Sequence, residues 1–258
     1  MPTSDTETPL TSTRDALRTP LRGSTVGIMQ PYFFPYIGYF QLIAAVDLFI
    51  VHDRVKYTKK GWINRNRFLQ DGRDALMSLP LKAGSDALDI VERELAPDFR
   101  RDKLLNRIGE AYRKAPHFDS VFALVRRVLM FDDSNLFRFL WHSIEQTCRH
   151  LGIATPMVPA SALYADPALA GADRVIALCR AAGATRYVNP IGGVELYGGA
   201  AFRAQGIDLR FLRAKPFEYP QLGAPFVPWL SIVDVMMFNP VAEVRERVAS
   251  AYELRAAA

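Results

Sequence analysis

The chain has 258 residues, half of them hydrophobic and 23% charged, with 32 Lys and Arg against 27 Asp and Glu for a net charge of +5. That composition excludes a disordered or fibrous chain, and no apolar run approaches the roughly 20 residues of a membrane-spanning helix, so no membrane partner is expected. The small basic excess permits nucleotides, nucleic acid or other anions as ligands without demanding them, because the arginines are spread along the chain.

The opening residues, MPTSDTETPLTSTRDALRTPLRG, are polar, carry charges of both signs and lack the apolar core of a signal peptide, so 1–23 reads as a disordered lead-in. Residues 24–258 are expected to form a single α/β domain with a helical subdomain over about 98–151. Residues 25–29 (TVGIM) are a short β-prone run that ends at Gln30-Pro31. A short helix follows over 38–45, with Tyr39, Phe40, Leu42 and Ile43 apolar, and then a buried strand over 48–51. Strand, helix and strand over this span make a βαβ unit, whose ligand sites lie at the carboxyl ends of the strands. Gln30, His52 and Asp53 fall at such ends.

Residues 74–82 suggest another strand, without an assignable partner. Helical spacing covers 98–130, divided at Pro116, and 134–151, with Ser134 as N-cap and Gly152 as stop. The α/β rhythm resumes with strands at 155–161, 185–189 and 207–212 and helices at 173–182 and 194–204. The tail, 229–255, reads as helical with an interruption at Asn239-Pro240. The fold class is therefore α/β: a doubly wound, mostly parallel, Rossmann-like sheet with a helical insertion or lid. Cys148 and Cys179 lie inside apolar helical patterns and read as buried free thiols of a reducing compartment, which makes the cytoplasm the expected address.

Chemistry concentrates between Gln30 and Arg67. An aromatic and proline cluster there gives way to His52, Asp53, Arg54, Lys56, Lys59, Lys60, Asn64, Arg65, Asn66 and Arg67, interleaved with Tyr57 and Trp62. Donors mixed with aromatics suit a pocket for an anionic or amide-rich small molecule. Lys56, Lys59, Lys60 and Arg65 are the candidate anion contacts, and Trp62, Asn64 and Asn66 the candidate neutral ones. His52 at a strand mouth can act as a general base, with Asp53 as a second candidate; adjacent strand residues face opposite ways, which argues against a direct couple. Gln30 and Tyr36 present polar ends at a strand terminus. Asn189, Gly192 and Gly193 follow a strand where glycine allows close backbone approach. Ser231 and Asp234 either bind substrate or simply cap and start a helix. No His/Cys cluster has zinc-ligand spacing, so no metal is expected.

The stretches QPYFFPYIGYF, VDLFIVHDRVKYTKKGWINRNR, RYVNPIGG and FVPWLSIVDVMMFN resemble the WbqC-like protein family over most of the chain from Thr25 onward. The resemblance implies a bacterial surface-polysaccharide or small-molecule biosynthetic setting. A weaker similarity links Tyr36-Ile37-Gly38-Tyr39 to the His-x-Gly-His signature of nucleotidyltransferases and pantothenate synthetases, which implies a nucleotide-shaped cleft with Gly38 beside it. Both histidines of that signature are tyrosines here, and tyrosine carries no positive charge for a phosphoryl group.

Two functions follow as expectations. The first is an enzyme joining an acyl or aminoacyl group to an amine of a sugar or other small molecule, as a transferase or amide-forming ligase. Its activation would come from ATP, a thioester or an aminoacyl or acyl carrier. The second is a non-catalytic module binding nucleotide, glycan or RNA. The sequence carries no signal for oligomeric state.

Overall fold

The computed structural model describes residues 23–223 and 225–257. The lead-in expected over 1–23 therefore lies, except for Gly23, outside the described residues. The chain begins with β1 (Ser24–Met29), α1 (Ile37–Ala44) and β2 (Leu48–Val51), then a hairpin of β3 (Arg65–Gln70) and β4 (Arg73–Ser78). Three helices follow, α2 (Arg101–Tyr112), α3 (Phe118–Leu129) and α4 (Leu136–Leu151). The chain then alternates β5 (Met157–Pro159), α5 (Gly171–Ala181), β6 (Ala184–Pro190), α6 (Gly199–Arg203) and β7 (Asp208–Ala214). It closes with α7 (Ile232–Phe238), α8 (Val241–Ser250) and β8 (Tyr252–Ala256).

The main sheet has six strands in the order β5-β2-β1-β6-β7-β8, all parallel except β8, which runs antiparallel to β7. Ile28 pairs with Ile50 on the neighbouring strand and Gly27 with Phe49, so the expected βαβ unit forms the middle of the sheet. The chain winds outward from β1 through β2 to β5, then restarts on the other side of β1 with β6. That reversal between β1 and β6 is the topological switch point of a doubly wound sheet, where a crevice opens beyond the carboxyl ends of the strands.

Alternation along the strands sends residues to two faces. Val26, Ile28, Leu48, Ile50, Tyr187, Leu209 and Phe211 pack with α5 and α6 residues such as Val175, Cys179 and Phe202. Phe49, Val51, Val188 and Leu212 join α1 and the long helices, so Tyr112, Val125, Phe139 and Ile144 share one core with that face of the sheet. Both cysteines are buried and unpaired. No helix among the described residues is long and apolar enough to cross a membrane.

Several local readings differ. Residues 65–67, read as part of a polar pocket stretch, lie in β3, whose partner is β4. Asp71 and Gly72 both take positive φ, 53° and 73°, the geometry of a two-residue hairpin turn whose Asp-Gly signature is present in the sequence. The N-cap of α4 is Asn135, whose side chain accepts from Arg138 N, while Gly152 ends the helix in the left-handed region as expected. The last residues of the tail form β8 instead of continuing a helix, because β7 would otherwise present an unpaired edge.

Candidate functional site

Two concavities are relevant. The smaller, about 240 Å³, is lined chiefly by apolar side chains including Ile37, Phe217, Phe226 and Trp229. The larger, about 820 Å³, opens at the switch point and gathers polar side chains from four strand and helix ends. Its volume suits a small-molecule ligand. Gln30 comes from the end of β1, His52, Arg54 and Lys56 from the segment after β2, Arg174 from the first turn of α5, and Asn189 from the end of β6. The placement follows from topology: α5 runs into β6, so its N-terminus lies over the carboxyl ends of the parallel strands.

His52 and Arg174 are in direct contact, with Arg174 Nε donating to His52 Nε2 at 3.2 Å. This assigns the imidazole proton to Nδ1 and engages the Nε2 lone pair. Burial, reinforced by the Arg174 charge and opposed by Asp53, lowers the His52 pKa to about 4. The ring is therefore neutral at neutral pH. A neutral imidazole can accept a proton, provided that Arg174 releases the lone pair.

Asp53 turns away from His52, as residues adjacent on an extended chain do. It is buried, its Oδ1 accepts from Ser161 N at 3.0 Å, and it does not line the cleft. The carboxylate thereby fastens the turn after β5 to the end of β2. Asn189, by contrast, is only 5% exposed yet lines the cleft, and its side chain makes no hydrogen bond among the described residues. Gly193 makes room for it: a Cβ on residue 193 would overlap Asn189 Nδ2. Gly192 lines the same wall.

The other sequence candidates fall elsewhere. Tyr36 precedes α1, lines the smaller concavity and covers Gly38, so Gly38 begins a helix without facing the cleft of His52. Asn64 accepts from Tyr57 Oη at 2.9 Å and donates to Leu79 O at 2.7 Å. Asn66 donates to the carbonyls of Phe33 and Phe34 at 3.1 and 2.9 Å. Arg65 Nε donates to Gly61 O at 3.0 Å, and Trp62 lies beneath the guanidinium groups of Arg65 and Arg67. Lys59 pairs with Asp86 at 2.6 Å on the exposed surface, and Lys60 is exposed nearby. Ser231 caps α7 and donates to Phe34 O at 2.7 Å. Asp234 is fully buried and accepts from Tyr112 Oη, Tyr219 Oη and Gln221 Nε2. Of the residues read from sequence, the cleft brings together Gln30, His52, Arg54, Lys56, Asn189, Gly192 and Gly193.

Arg174 was not among them. Its signal is an arginine in the first turn of a helix that begins Gly-Ala-Asp-Arg, where the helix dipole disfavours a cation. Among the described residues, no group of three or more His, Cys, Asp and Glu could hold a metal ion.

Comparison with known proteins gives a consistent lineage. The sequence profile of the WbqC-like protein family matches residues 30–246. The chain is 28% identical over 221 residues to "Uncharacterized protein Rv1507c" of Mycobacterium tuberculosis (strain ATCC 25618 / H37Rv), covering 84% of this chain and 94% of that one. No solved structure matches the chain.

Proposed function

From the premise that this chain belongs to the WbqC-like protein family, we propose that it is a biosynthetic enzyme transferring an acyl or aminoacyl group to an amine of a sugar or other small molecule. The switch-point cleft is its active site. The observation that carries this reading is the placement of His52 at the end of β2, inside a cleft that also presents Asn189 and the Arg174 guanidinium.

In the proposed reaction the amine nitrogen attacks the acyl carbonyl and His52 accepts the proton that this nitrogen loses. The donor's oxygen or sulfur leaves with the electron pair of the broken acyl bond. An acyl phosphate made with ATP, a thioester or an aminoacyl ester each supplies such a leaving group. For His52 to accept the proton, Arg174 must first turn to the substrate and free Nε2. The buried free thiols support the expected cytoplasmic address.

The test incubates the full chain with aminosugars and each donor class and looks for an amide by mass spectrometry. Product with the wild type and a loss of turnover exceeding the loss of binding in His52→Ala is the expected result, because a base acts in the transition state. Binding without product under every donor would overturn catalysis. It would favour instead a non-catalytic nucleotide- or glycan-binding module, a reading motivated by the hydrogen bond from Arg174 that engages the lone pair of His52.

A further inference from the structure

Resting on the reading that the switch-point cleft is the substrate site, we infer that it contains a phosphate subsite. The first turn of α5 together with Arg174 takes a phosphate of the substrate or activated donor, and Asn189 holds the polar group attached to it.

The first observation is the state of the helix end. α5 has 11 residues and starts after Ala170 without a side-chain cap. The backbone N–H groups of Gly171, Ala172 and Asp173 have no acceptor among the described residues, and Arg174 N reaches only Ala170 O, at 3.4 Å. Ala170 and Gly171 face the cleft. Unpaired N–H groups and the positive end of the helix dipole together favour an anion.

The second observation is a cationic excess that Asp89 offsets only in part. Arg174 adds a cation where the dipole is already positive, spends only Nε on His52, and has no salt bridge among the described residues. Arg54 and Lys56 line the same cleft against one carboxylate, Asp89. A cationic excess beside a guanidinium fork and free backbone donors matches a tetrahedral, doubly charged phosphate better than a carboxylate with two oxygens.

The third observation is independent of the helix. Asn189 is 95% buried, aimed into the cleft and without a hydrogen-bond partner among the described residues. Its amide opens to the cleft and is not sealed in the core, so it is placed to bond a polar group of the ligand. The absence of a side chain at Gly193 keeps the amide in this position.

The experiment is calorimetric titration of the full chain with inorganic pyrophosphate, malonate, UDP and glucosamine 6-phosphate. Pyrophosphate should bind more tightly than malonate, and Arg174→Gln should weaken it about tenfold or more, the scale of a lost charge-assisted hydrogen bond. Amide shifts in the wild type should centre on residues 171–174 and 189–193, which tests the site without relying on the folding of a variant. The tighter binder of UDP and glucosamine 6-phosphate identifies the source of the phosphate, and Asn189→Ala should weaken that ligand while sparing pyrophosphate. No pyrophosphate binding at millimolar concentration, shifts elsewhere, or an unchanged affinity in Arg174→Gln would overturn the subsite. Unchanged binding of both organic phosphates in Asn189→Ala would overturn the role of the amide. Phosphate binding without amide formation removes the transferase reading and leaves the subsite standing.

Discussion

Tyr112 and Asp234, 122 positions apart, meet in the interior through a hydrogen bond of 2.7 Å from the tyrosine hydroxyl to Oδ1. The same hydroxyl accepts from Leu69 N at 2.8 Å, while Tyr219 and Gln221 donate to Oδ2 at 2.6 and 2.8 Å. One buried carboxylate thus binds α2, α7 and the segment before α7, with β3 attached through the tyrosine.

Asp234→Ala should destabilise the protein by several kcal/mol, since the Tyr112 and Tyr219 hydroxyls lose their acceptor at ~1–3 kcal/mol each, while Gln221 keeps Val227 O. Asp234→Asn should cost less because one acceptor oxygen remains. Burial raises the Asp234 carboxyl above its ordinary range, against the pull of the three donors. The folded state therefore binds this proton more tightly than the unfolded state. Its contribution is full below the unfolded pKa and declines as pH rises through the folded one. Urea midpoints measured across acid to neutral pH should show that decline in the wild type and lose it in Asp234→Asn.

His52 has the opposite sign. A folded pKa of about 4 against an ordinary 6.5 means that the unfolded state takes up the proton first. Stability linked to His52 is fully present above pH 6.5 and is lost as pH falls toward about 4. NMR titration of the imidazole should find it neutral at pH 7. Arg174→Gln should raise its pKa without restoring 6.5, because burial, the larger cause, persists. An unchanged pKa in that variant would show that the guanidinium has no electrostatic hold on the ring.

The carbonyl of Phe34 receives two side-chain donors, Asn66 Nδ2 at 2.9 Å and Ser231 Oγ at 2.7 Å. Phe34 itself takes a φ of 40°, which a bulky residue adopts only when its surroundings enforce it. Asn66→Ala should cost ~1–3 kcal/mol and Ser231→Ala ~0.5–2 kcal/mol. The double variant should lose more than the sum, since only then does the carbonyl lack both donors. Strict additivity of denaturation free energies would exclude this coupling.

Comparison of Arg65→Ala with Arg174→Gln distinguishes two locations for an anionic substrate. Arg65 stabilises the loop before β3 through Gly61 O, whereas Arg174 faces the cleft. Arg174→Gln should raise the apparent dissociation constant about tenfold and Arg65→Ala should leave it within about twofold. The reverse pattern would place the anion on the loop with Lys59 and Lys60.

Much of the fold is local in origin. The apolar runs of β1 and β2, the α1 pattern between them, Pro116 between α2 and α3, and the stop at Gly152 depend on residues close in sequence. The position of His52, Asn189, Gly192 and Gly193 in one cleft beyond the strand ends was also legible, because in an α/β chain the carboxyl ends of the parallel strands lie along one edge of the sheet. Strand order was not legible. Side-chain periodicity records which face is buried but not which neighbour covers it, so the adjacency of β1 and β6 and the pairing of β8 with β7 arise only on folding. The same limit applies to the polar residues after β2. Asn64, Asn66 and Arg65 have the chemistry of ligand contacts, but the backbone carbonyls that they bind, such as Leu79, Phe33 and Gly61, come to them through the folded chain. Arg174 is the converse case: 122 positions from His52, it becomes part of the cleft only because the reversal of winding sets α5 across the ends of the strands.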